Sequence, residues 1–89
     1  MTSANTTFLL MAQYGGKAVI PLEEVRRDFF SHLTIESFRR KVTNGSIDLV
    51  VTALENSQKG HRGVHLNDLV HYIDKQRELA LREHQKLHR

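Results

Sequence analysis

IPLEEVRRDFFSHLTIESFRRKVTNGSIDLVVTALENSQKGHRGVHL, residues 20–66, is the stretch that decides the fold. Pro21 fits a helix start, because its missing N–H would be unpaired there anyway, and Glu23 and Glu24 suit the positive end of a helix dipole. Leu22, Val25, Phe29 and Phe30 recur at helical spacing, which predicts an inward stripe and an end at Phe30 or Ser31. Ser31, His32 and Leu33 make a tight joint, and Thr34 is a good N-cap for a second helix. In that helix Ile35, Phe38 and Val42 face inward, leaving Glu36, Ser37, Arg39, Arg40, Thr43 and Asn44 outside. Asn44-Gly45 stops it, glycine taking the left-handed conformation that other residues adopt only with strain. Residues 47–54, rich in Val and Leu, predict a strand, 55–63 an exposed polar turn, and 64–66 a return strand. Helix, turn, helix, wing is an order that holds one helix in a DNA major groove and a loop against flanking phosphates. The expected fold is α+β, mainly α: a winged helix-turn-helix with a small β-hairpin wing and a long C-terminal helix.

Outward from that stretch the pattern thins. Residues 6–15 predict a short helix carrying Phe8, Leu9, Met11 and Ala12, capped by Asn5 or Thr6 and ended by Gly15-Gly16. A buried strand is the alternative for so short an apolar run. Ala18, Val19 and Ile20 suit a small strand. Residues 67–86 contain neither Pro nor Gly, and Asn67 can cap a last helix with Leu69, Val70, Ile73 and Ala80 inward. Leu66, Val70, Ile73, Arg77, Ala80, His84 and Leu87 keep the four-and-three spacing of a helix-pairing seam, which Arg77 and His84 spoil. The helix-turn-helix spans 22–45 and the wing 47–66, in one domain covering 1–89.

With 89 residues the chain has room for one modest core and none for a cleft between domains. It has 39% hydrophobic and 26% charged residues, which suits a soluble globular fold. The absence of cysteine removes disulfides and thiolate metal sites. No apolar run approaches a membrane span, and the segment around Phe8 lacks the basic flank of a signal peptide, so a cytoplasmic, nucleoid-associated protein is expected. The formal net charge of +3 permits a polyanionic partner without demanding one. Its distribution says more: Lys59, His61 and Arg62 share one loop, Arg39, Arg40 and Lys41 one helix. Residues 75–89 hold five Lys or Arg against two Glu.

Several blocks, FLLMAQY (8–14), AVIPLEEV (18–25), DFFSHLT (28–34), SQK (57–59), GVHLNDL (63–69) and YID (72–74), resemble the pyocin activator family. The resemblance covers roughly residues 6 to 83. It implies a small bacterial or prophage transcriptional activator of genes for phage-tail-like bacteriocins. More loosely, Glu24, Val25, Phe38, Arg39, Arg40 and Gly45 look like the excisionase and MerR class of winged helix-turn-helix domains. In that class the second helix enters the major groove and the hairpin loop touches the backbone.

The candidate DNA-binding residues are therefore Thr34, Glu36, Ser37, Arg39, Arg40, Lys41, Thr43 and Asn44 on the second helix, and Gln58, Lys59, His61 and Arg62 at the wing tip. Arginine pairs with guanine O6 and N7, asparagine with adenine, and serine or threonine with phosphates or bases. Arg40 and Ser37 are the expected base readers and Lys41 a phosphate contact. The bland alternative is the solvated face of a small basic protein. His61 and His65, and His84 and His88, are each four apart, but zinc sites gather three or four ligands, so no metal and no cofactor is expected. No phosphate loop or paired carboxylates suggest an enzyme or a small-molecule substrate. Phe29 and Phe30 are read as core rather than a base-stacking platform. Phe8, Leu9, Leu10 and Met11 are the expected oligomer interface, because so small a chain has little interior to hide all four. The partners expected are promoter duplex DNA, a second copy, and RNA polymerase if activation works by contact rather than by DNA remodelling; no membrane is expected. A protein-interaction adaptor and an excisionase-like DNA-bending factor are the competing readings.

Overall fold

The computed structural model describes residues 4–56 and 61–88. Its elements run α1 (Ala4–Gln13), β1 (Val19–Pro21), α2 (Leu22–Phe29), α3 (Ile35–Thr43), β2 (Thr52–Ala53), β3 (Arg62–His65) and α4 (Leu66–Leu87). The fold is mainly helical, with a small antiparallel sheet in the order β1-β3-β2 and a long final helix. The α+β expectation holds. The sheet gains a third strand that the hairpin alone does not supply: Ile20 pairs with Val64 and Val19 with His65. Pro21 ends β1 and directly precedes α2, where its fixed φ of −54° suits a helix entry.

The core forms where the four helices meet β1 and β3. Ile20, Val25, Phe38, Val64, Leu69 and Val70 are wholly buried, and Leu10, Tyr14, Leu22, Phe30, Leu49 and Leu66 nearly so. α1 packs against α4, and α2 against both β1 and β3. The edge strand β1 and the central strand β3 meet closely at Gly63. A side chain there would sit 2.6 Å from the Ile20 carbonyl oxygen, so this position requires glycine.

Several expectations are corrected. The strand expected over 47–54 shrinks to Thr52–Ala53, because the chain leaving α3 spends its backbone groups elsewhere. The Ile47 N–H donates to the Lys41 carbonyl at 3.0 Å and the Leu49 N–H to Ile47, while the Leu49 side chain plugs the core. The return strand begins earlier than expected, at Arg62, and Leu66 already belongs to α4. The cap of α4 is His65 rather than Asn67: its Nδ1 accepts the Asn67 N–H at 3.1 Å. Ala80 is exposed, since the chain's own packing on α4 stops near Ile73. Phe29 is also exposed; α2 ends there, and the turning backbone at Phe30 carries that ring into the core instead. Asn5 and Thr6 lie inside α1, which starts at Ala4, and the Thr6 hydroxyl donates to Asp74 at 2.8 Å.

Tyr14 pins the end of α1 to α2. Its buried ring sends the hydroxyl to Asp28, donating at 2.7 Å. Burial first, and then the Asp28 carboxylate, push the Tyr14 hydroxyl well above its usual range. Asp28 is held below the usual carboxylate range by hydrogen bonds from Arg27 and then from Tyr14. A carboxyl depressed in the folded state adds stability above its unfolded pKa and loses it as pH falls through the folded value. Tyr14→Phe is therefore expected to cost about 1 kcal/mol at pH 7. The gap between variant and parent should narrow below about pH 4. Urea unfolding of both proteins at pH 7 and pH 3 checks it; an equal gap at both would show that Asp28 is not the partner that matters.

Candidate nucleic-acid interface

α3 is fixed by what lies beneath it. Phe38 is wholly buried and stacks on Phe30 with ring centroids 4.8 Å apart, and Tyr72 of α4 closes on Phe30 at 6.0 Å. Ile35 and Val42, half-buried, flank Phe38 against the same core. Since a helix places residues three and four apart on one face, this leaves Glu36, Arg39, Arg40 and Thr43 on the outside, as expected. The joint before α3 is braced too. Thr34 accepts the Ser37 N–H at 3.1 Å, a side-chain N-cap, and the Leu33 N–H donates to the Phe30 carbonyl.

Arg26 locks the joint from α2. It donates to both Glu23 carboxylate oxygens, at 2.8 and 2.7 Å, and to the Leu33 carbonyl at 2.9 Å. Glu23 is held below the usual carboxylate range chiefly by the Arg26 hydrogen bond, with smaller pulls from Arg27 and Arg39. Sequence reasoning did not assign Arg26 this positioning role. Its spacing from Glu23 signals the ion pair, but the reach to Leu33 depends on how the turn folds.

The candidate residues divide by what the fold has already given them to do. Glu36, Arg39, Arg40, Thr43 and Asn44 are exposed, while Ser37 and Lys41 are half-buried. Thr34 and Asn44 have structural tasks: Asn44 caps the C-terminus of α3, and its Oδ1 accepts the Ser46 N–H at 2.9 Å. Gly45 follows at φ +83°, the left-handed turn expected of it. Arg40 reaches Ser37 Oγ at 3.4 Å. Four cations elsewhere are paired, Lys17 with Glu24, Arg27 with Asp28, Lys75 with Asp48 and Arg82 with Glu78, whereas Arg77 and Lys86 of α4 make no ion pair among the described residues. Arg39, Arg40, Lys41 and Arg62 make no ion pair within 4.0 Å among the described residues.

At the hairpin, His61 and Arg62 are exposed; Gln58 and Lys59 lie outside the described residues. β3 carries Arg62 outward and Val64 into the core shared with Phe38, so hairpin and α3 are anchored in one cluster. The apolar run of α1 splits. Phe8, Leu9 and Met11 are 74%, 68% and 45% exposed, whereas Leu10 is buried in the chain's own core and leaves the expected interface. The helical period explains this, because consecutive residues point about 100° apart. Among the described residues no three His, Cys, Asp or Glu gather, and no helix is long and apolar enough to cross a membrane.

Compared with known proteins, residues 6–80 match the family model described as Pyocin activator protein PrtN. No curated protein and no solved structure gives a match.

Proposed function

The chain belongs to the pyocin activator protein family, a regulatory family, and from that premise we propose that it activates prophage or bacteriocin genes by binding duplex DNA sequence-specifically. In this reading α3 lies in the major groove, and the hairpin lies against flanking phosphates through His61 and Arg62, the arrangement of the excisionase and MerR class. The observation that carries it is the outer face of α3. Arg39, Arg40 and Lys41 sit without ion pairs on a helix whose opposite face is fastened by a fully buried phenylalanine. A rigid helix with uncommitted cations suits a polyanion, and removing either the rigidity or the charge should abolish the match. The protein would then work on the nucleoid, in the cytoplasm, as a regulator rather than an enzyme. Activation itself is tested by a reporter fused to promoters from the chain's own genomic neighbourhood. Output should rise when the intact chain is expressed; unchanged output from all of them would remove the activator role.

The hairpin contributes affinity without sequence information. Arg62→Ala should weaken cognate and random DNA alike and lower the log–log salt slope by about one unit, the share of a single phosphate contact. An unaltered slope in titrations from low to moderate salt takes Arg62 out of the interface.

A second reading of the surface accompanies the first. α1 contains no charged residue, and its outward face exposes Phe8, Leu9 and Met11. A helix apolar on both faces is ordinarily covered on both. A second copy is the occupant that also serves the function, since one recognition helix reads only a few base pairs and two double the site. Sedimentation at micromolar concentration, with and without DNA, is expected to show a dimer, which Phe8→Glu disrupts. A monomer in both states ends this part of the proposal and favours an adaptor that offers the same face to another protein.

A further inference from the structure

We infer that Glu36 and Arg40 form the sequence-reading pair of α3, Arg40 taking a guanine through O6 and N7 and Glu36 the exocyclic amine of a cytosine one or two base pairs away. The inference rests on the proposal that α3 occupies a major groove. The fold already employs several polar side chains of that helix. The Thr34 hydroxyl oxygen holds the Ser37 N–H, and Asn44 Oδ1 holds the Ser46 N–H at 2.9 Å. Adenine recognition by asparagine needs the amide plane turned to the base edge, whereas the Ser46 bond ties the Asn44 amide to the helix end, which sets it aside as a base reader. Arg39 is exposed and makes no ion pair among the described residues, and it stands only three positions from Glu36, one residue short of the four-residue spacing. Lys41 and Ser37 are half-buried.

Glu36, Arg39, Arg40 and Thr43 remain, and of these Glu36 and Arg40 are the oppositely charged pair four residues apart. Both are exposed, and four residues apart they share one strip of the helix surface, facing away from Phe38. A glutamate four residues before an arginine commonly pairs with it, yet no such pair forms here. The contact that Arg40 makes is to Ser37 Oγ at 3.4 Å, which leaves most of its fork of N–H donors available. Along the helix the two side chains start about 6 Å apart. Base pairs rise about 3.4 Å each, so the two fall on pairs one or two steps apart.

The acidic partner explains specificity better than affinity. A carboxylate facing a polyanion weakens binding to every sequence and recovers the loss only where a cytosine N4 amine donates to it. Glu36 thus acts against wrong sites as much as for the right one. The alternative role is local: an acidic residue in the first turn favours the helix N-terminus.

The two roles separate in selection from a random duplex library. The purified full chain is compared with Glu36→Gln and Arg40→Ala, with helix content checked by circular dichroism and affinity for mixed-sequence DNA measured in parallel. The parent should enrich a site with two G·C pairs one or two steps apart. Glu36→Gln should keep the guanine, lose about tenfold of the cytosine preference, and bind mixed-sequence DNA several-fold more tightly. Arg40→Ala should lose the guanine. If Glu36→Gln selects the same site with the same cytosine preference, Glu36 has only its helix-end role and the pair is overturned, while α3 remains the reader. If the parent enriches no sequence at all, the DNA-reading proposal falls and takes this inference with it.

Discussion

Phe38→Ala is expected to destabilise the protein by about 3–5 kcal/mol, the largest effect of any single substitution considered. The ring is wholly buried, stacked on Phe30 at 4.8 Å, and it is the side chain that fastens α3 to α2 and to the core around Val64 and Leu69. Its removal loses the transfer free energy of an aromatic side chain and leaves a cavity that surrounding rings fill only in part. Small domains hold roughly 0.05–0.15 kcal/mol per residue, about 4–13 kcal/mol for 89 residues, so the loss removes about a quarter of the stability or more. Urea unfolding followed by circular dichroism should give a transition moved to much lower urea or lost altogether. A cooperative transition close to that of the parent would mean that α3 is rotated differently on the core, and the outer face assigned to DNA would have to be redrawn.

Arg40→Ala is expected to lower affinity for the cognate duplex tens-fold while leaving the unfolding transition where it is. Truncating an exposed side chain without an ion pair leaves nothing buried unsatisfied, so stability has little reason to move. A bidentate arginine–guanine contact, by contrast, carries about 1–3 kcal/mol of discrimination. Arg39→Ala should also weaken binding, because that side chain is exposed and makes no ion pair among the described residues. A competition gel shift distinguishes loss of specific binding from loss of all binding. Unchanged affinity in both variants would remove α3 as the recognition helix.

The parts of this fold that could be read from the sequence are those where one residue does one job. Thr34 is a side-chain cap, Gly45 a left-handed turn, and Ile35, Phe38 and Val42 an inward stripe; each signal is local, and each holds. The misreadings arise where a residue type serves an unfamiliar purpose or where long-range partners compete. Residues 47–51 look like a strand because they alternate and are apolar, yet their hydrogen bonds close the end of α3 and Leu49 fills the core from a loop. Histidine is an uncommon cap, so His65 gave no warning beside the more usual Asn67. Phe8 to Met11 reads as a single patch in one dimension, whereas the helix divides it and gives Leu10 to the interior. In the candidate interface, the outer face of α3 was legible from periodicity. That Asn44 is occupied, and that Arg26 clamps the turn through the Leu33 carbonyl, are facts of hydrogen-bond geometry with no sequence signal of their own.

If this chain reads duplex DNA in sequence, a footprint of the purified protein over its own genomic neighbourhood, taken in excess competitor DNA, should show one or a few discrete protected sites. They should survive the competitor and vanish with Arg40→Ala. Uniform protection that the competitor erases, or no protection at any concentration at which the protein is folded, would contradict that reading.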